Sequence, residues 1–100
     1  MDLKKQQKAP FVEALEGYCQ QHMKAYHTPG HKLGQGISAY QTGLFGDALR
    51  RDLGVMYALD DLFQPEGALK EAMDLAADLY GAGRSFFSIN GTTACIEAMI

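Results

Sequence analysis

Residues 85–100 read SFFSINGTTACIEAMI, from Ser85 to Ile100. Phe86, Phe87 and Ile89 are strand formers with few polar residues among them, so Arg84–Asn90 reads as a strand with both faces covered. Asn90-Gly91-Thr92-Thr93 makes a turn, and Ala94–Ile100 opens an apolar helix. Helix, strand, turn and helix in this order form the opening of an α/β sheet protein.

Upstream of this stretch, the spacing predicts a helix over Glu66–Tyr80. Leu69, Ala72, Met73, Ala76, Leu79 and Tyr80 make an apolar stripe, and Lys70, Glu71, Asp74 and Asp78 occupy the other side. Gly81 and Gly83 supply the stop. A further helix is predicted over residues 10–24, with Pro10 at its first position and Phe11, Ala14, Leu15, Tyr18, Cys19 and His22 on one face. Gly17 weakens it. Between Tyr26 and Gly46, one proline and five glycines break any period, which marks a long irregular segment of the kind that serves function or packs on something else. Asp47–Asp52 suits a short helical turn, and Leu53–Phe63 has no regular pattern before Pro65.

A single strand makes no sheet. With one strand, a short apolar helix and some twenty irregular residues, the sequence is expected to be the N-terminal piece of a longer chain, poorly folded and inactive alone.

Lys and Arg total 9 against 12 Asp and Glu, so the net charge of −3 gives no general attraction for a polyanion, and nucleic acid is not expected as a partner. Lys4, Lys5 and Lys8 stand together at the start of the chain, as in a solvated helix start or frayed end. No apolar run approaches the roughly 18 residues of a membrane span, and no secretory leader pattern is present, so a cytoplasmic location without a membrane partner is expected. Cys19 and Cys95 sit in amphipathic or apolar segments and read as reduced, buried thiols.

Three places have the residue types that chemistry needs. At the strand–helix junction, unpaired N–H groups at a helix start suit an anion, Gly91 allows close approach, and the Thr92 and Thr93 hydroxyls donate to phosphate. The competing reading makes Thr92 a plain helix cap. The second place is His27-Thr28-Pro29-Gly30-His31-Lys32, with two imidazoles and an ammonium beside a rigid bend. His27 and His31 have the spacing of two metal ligands on a helix, but Pro29-Gly30 argues against a helix there and no third ligand is evident, so no metal is expected. An ordinary turn and an organic ligand site both remain open. The third is Asp60-Asp61. Adjacent side chains diverge, so one acid is expected to cap the turn before Pro65 while the other is solvated.

Together, HTPGHKLG, LDDLFQPEGALKEAMDLAADLYGA and RSFFSINGTTACIEAMI resemble the start of the Orn/Lys/Arg decarboxylase family over roughly Tyr26–Ile100. The resemblance implies a pyridoxal 5'-phosphate enzyme with an aminotransferase-like α/β fold, helix-rich with one clear strand here. On it, residues 1–25 form an N-terminal helix and 26–100 begin the cofactor-binding major domain. It assigns the cofactor phosphate to Gly91, Thr92 and Thr93. His27, His31, Lys32, Asp60 and Asp61 become candidates for the substrate entrance or subunit boundary.

The implied reaction is α-decarboxylation of arginine, lysine or ornithine to a polyamine-pathway amine, in a homodimer or larger homo-oligomer. The family's Schiff-base lysine falls beyond residue 100, so Lys32 is not that lysine and no catalytic residue is assigned here. Two positions depart from the family pattern: Phe63 stands where a histidine is usual, and Cys95-Ile96 or its neighbours where a Gly-Asn pair is. Alternatives are another enzyme of the same fold, such as an aminotransferase or lyase, and a non-catalytic truncated relative.

Overall fold

Pro10 opens the first helix, where its missing N–H costs nothing. The Glu13 carboxylate reaches back to the Ala9 N–H at 3.0 Å. The computed structural model describes residues 1–100 and holds four α-helices: α1 (Pro10–Cys19), α2 (Ala39–Phe45), α3 (Ala68–Tyr80) and α4 (Gly91–Ala98). Short 3-10 helices occupy Lys5–Gln7 and Gly46–Arg51. None of the helices is long and apolar enough to cross a membrane.

The core lies where α1 packs on α3. Tyr18 and Cys19 are buried from α1, Leu69, Met73 and Ala77 from α3, and Leu59 from the loop between them. Burying a side chain the size of Leu69 or Met73 stabilises by roughly 1.5–3 kcal/mol. The stripe on α3 is narrower than its sequence suggests. Positions 69, 73 and 77 face inward at four-residue spacing, whereas Leu79 and Tyr80 point out, 50% and 83% exposed. Gly81 closes α3 at φ +64, and the Ala82 N–H reaches the Ala77 carbonyl at 2.9 Å.

Three expectations are corrected. α1 ends at Cys19, well short of residue 24, and His22 turns into the left-handed region at φ +49, so it leaves the buried face. Of the two readings for the start of the chain, the solvated helix start holds, with exposed lysines about the 3-10 helix Lys5–Gln7, and the frayed end does not: Gln6 donates to the Leu75 carbonyl at 3.0 Å and to Asp78 at 3.2 Å, and Lys8 pairs with Glu71 at 3.1 Å, which seats it against α3.

The third correction concerns the strand. Residues 84–88 carry no regular structure, and the one isolated bridge in the molecule joins Met56 to Asp60. A strand exists only through a ladder with a neighbour, and no second extended segment lies beside this one. Phe86 and Ile89 are each 81% exposed as a result. The radius of gyration, 16.2 Å, exceeds the about 13 Å of a closely packed chain of this length, in keeping with so small a core.

The irregular segment is held at several points. Tyr18 donates its hydroxyl to His27 Nε2 at 3.0 Å, with His27 Nδ1 on the Thr28 carbonyl at 3.2 Å. A carbonyl only accepts, so Nδ1 carries the proton and Nε2 receives the phenol. Cys19 donates to the Arg50 carbonyl at 3.1 Å. Ser38 and Gln41 form a reciprocal capping box at the start of α2. The Arg51 guanidinium pairs with Glu16 and so ties the Gly46–Arg51 turn to α1.

Candidate functional site

The turn at the start of α4 is set by Gly91, whose φ of +83 is a left-handed conformation that glycine adopts without cost. A side chain there would meet open space, so the glycine serves the backbone path and relieves no crowding. Asn90 takes the cap position without a side-chain cap, and its own N–H donates to Ser88 Oγ at 3.3 Å. Thr92 is therefore inside the first turn and is not the cap, because the left-handed glycine starts the helix one residue earlier.

No group of the chain accepts from the backbone N–H of Gly91, Thr92 or Thr93, and neither threonine hydroxyl is engaged in a hydrogen bond. All three residues are exposed. Three free N–H groups and two free hydroxyls at the positive end of a helix form a concentrated set of donors with no internal acceptor. The chemistry that such a set suits is a doubly charged oxyanion.

Asp60 behaves quite differently from its neighbour. It sits at φ +70, where aspartate is tolerated better than most residues. One oxygen accepts the N–H groups of Asp61 and Glu66 at 2.9 and 3.0 Å. The other accepts those of Gly67, Leu69 and Lys70 at 2.8, 2.9 and 3.2 Å. Burial pushes this carboxyl up, but the hydrogen bonds from Glu66, Asp61, Gly67 and Lys70 outweigh it and bring it from 3.8 down to about 2. Asp61 accepts the Phe63 N–H at 2.8 Å through one oxygen. The cap expected before Pro65 is thus Asp60 acting across Pro65 on the start of α3, and Asp61 also holds a local turn.

A cleft of about 640 Å³ brings some of these residues together. Asp60, Asp61 and Phe63 line it along with Phe87, Ser88 and Asn90, the residue that leads into the donor-rich turn. Asp52 also lines it and accepts from His31 Nε2 at 3.1 Å, while His31 Nδ1 accepts the Gly34 N–H at 3.2 Å. Lys32 is exposed and left-handed at φ +52. No hydrogen bond links His27, His31 or Lys32 to Gly91–Thr93, and no three His, Cys, Asp or Glu side chains converge. Sequence reasoning missed Ser88 beneath the turn and the reach of Asp60 to Lys70. For Asp60 the only local signal is an aspartate several residues before Pro-Glu-Gly.

A left-handed glycine followed by two hydroxyl residues stands at the free amino end of a helix, a geometry that suits an anion. The chain matches the family described as Orn/Lys/Arg decarboxylase, major domain, over residues 9–100, and it belongs to that family. It is 37% identical over 99 residues to an arginine decarboxylase of Halalkalibacterium halodurans, covering 98% of this chain and 20% of the relative. An arginine decarboxylase of Bacillus cereus is 42% identical over 96 residues, covering 95% and 21%. The lysine decarboxylase LdcA of Pseudomonas aeruginosa is 40% identical over 94 residues, covering 84% and 12%. The chain thus spans about a fifth of the length of the arginine decarboxylases it matches. No solved structure matches it.

Proposed function

We propose that the intact protein is a pyridoxal 5'-phosphate-dependent decarboxylase of a basic amino acid, and that Gly91, Thr92 and Thr93 hold the cofactor's phosphate. The observation that carries this is the set of unpaired donors at the start of α4, in a chain of the Orn/Lys/Arg decarboxylase family. Phosphate fits the turn: three backbone N–H groups and two hydroxyls would be free to donate to it, and the helix end favours its charge. When bound, the cofactor supplies an electron sink that lets carbon dioxide leave the α-carbon. The residues of this chain bind and orient it. The left-handed Gly91 directs the backbone amides, and Ser88 holds the Asn90 amide one residue before them.

Arginine is the substrate favoured here, since the relatives above of which the chain covers about a fifth bear that name, whereas it covers 12% of the lysine decarboxylase. On the same reading, residues 26–100 begin the cofactor-binding domain of an aminotransferase-like fold, and the His27–Lys32 segment with Asp60 and Asp61 lies toward the substrate entrance or a subunit boundary in a homo-oligomer. Exposed Tyr26, Tyr57 and Phe63 nearby in sequence support a covered surface there. The free thiols of Cys19 and Cys95 agree with a cytoplasmic location.

The test is carbon dioxide release by the intact protein supplied with pyridoxal 5'-phosphate and, separately, arginine, lysine and ornithine. Release from at least one is expected, with arginine fastest. Formation of a keto acid in place of an amine, or no reaction with all three, contradicts the reading.

A further inference from the structure

We propose that Asp60 is a positioning residue that presents Asp61 to the cationic side chain of the basic amino-acid substrate. The inference rests on the decarboxylase reading above, which supplies the cation.

The two acids are adjacent but differently occupied. Both oxygens of Asp60 are filled by backbone N–H groups drawn from Asp61 to Lys70, so it has no acceptor left for a ligand. Its hydrogen bonds close the segment 60–67 into a ring on the start of α3. Leu59 and Leu69, 4% and 9% exposed, anchor that ring in the core on either side. Asp61 is part of this ring and is held again by its own contact with the Phe63 N–H at 2.8 Å.

That contact uses one oxygen of Asp61. The second has no partner in the chain, and Asp61 lines the cleft that runs to Asn90, where the donor-rich turn begins. The free donors of Gly91–Thr93 follow directly on Asn90, where the lining of the cleft ends, and Asp61 puts a fixed carboxylate on its wall. A cofactor phosphate at the first and a guanidinium or ammonium at the second is the charge pairing this arrangement favours. Fixing a carboxylate in advance lowers the ordering cost of binding the cation, and rigid clamping by Asp60 does that.

The experiment uses the intact cofactor-loaded enzyme with Asp61→Asn and Asp60→Asn variants. Asp61→Asn is expected to raise KM for arginine about tenfold or more, the loss of one hydrogen bond to a charge, with kcat and cofactor affinity unchanged. Amide exchange at Gly67, Leu69 and Lys70 should stay slow in that variant. Asp60→Asn should raise KM in the same way and also speed exchange at those amides. An unchanged KM in Asp61→Asn overturns the proposal, and this variant leaves every Asp60 contact in place even if Asp60→Asn does not fold. Faster exchange without a KM change in Asp60→Asn overturns the positioning role. If the unsubstituted enzyme turns over none of the three amino acids, the decarboxylase reading itself fails, and this proposal falls with it.

Discussion

The Asp60 carboxylate meets the Leu69 N–H at 2.9 Å, nine residues away and across Pro65. One side chain thus does for α3 what a local cap does for most helices, and it also shapes the loop that precedes it.

Because Asp60 titrates near 2 in the folded protein and near 3.8 when free, it contributes stability fully above about pH 3.8. That contribution is lost as the pH falls from there through about 2. The intact protein should show a component of acid unfolding in this window, followed by circular dichroism, that Asp60→Asn lacks. Identical acid profiles for the two proteins would show that the carboxylate is not clamped.

The Arg51 hydrogen bond holds Glu16 below the usual carboxylate range, and the same bond raises Arg51. Both side chains are solvated, so their attraction should be strongly screened at 1 M salt, where the Debye length is about 3 Å. Glu16→Gln is expected to lower the thermal midpoint slightly at low salt and not at 1 M. A loss that persists in high salt would mean that packing, not charge, joins α1 to the Gly46–Arg51 turn.

Met73 is the middle residue of the buried row on α3. Met73→Ala should destabilise the α1–α3 contact by about 2–5 kcal/mol, read from denaturant unfolding of the intact protein. A cost under about 1 kcal/mol, the level of an ordinary surface change, would place the core elsewhere.

Gly91→Ala forces a side chain into the left-handed region at φ +83, with open space around it. The cost is about 1–2 kcal/mol of backbone energy, and it falls on the geometry of the donor turn. Weaker pyridoxal 5'-phosphate binding with little change in overall unfolding is the expected outcome.

Much of this was legible in the sequence. The α3 pattern, Pro10 at the start of α1, Gly81 at the end of α3 and the turn at Gly91–Thr93 all follow from local chemistry, and local chemistry needs only neighbours in sequence. The strand over 84–90 did not form because its partners would have to come from other segments, and propensity alone makes no ladder. A capping aspartate is visible in the Asp60-Asp61 pair, but neither which of the two caps nor its reach to Lys70 is, since both depend on how the chain doubles back past Pro65. The capping box at Ser38 and Gln41 could have been read from its Ser-x-x-Gln spacing, and the glycines around it hid it.

The phosphate assignment is tested most directly by titrating the intact apoprotein, and its Thr92→Ala/Thr93→Ala variant, with pyridoxal 5'-phosphate and with pyridoxal. Each lost hydrogen bond to the charged phosphate should cost roughly 1.5–3 kcal/mol, so the variant should bind pyridoxal 5'-phosphate far more weakly while its affinity for pyridoxal is unchanged. Equal affinity of the two proteins for pyridoxal 5'-phosphate would contradict the account.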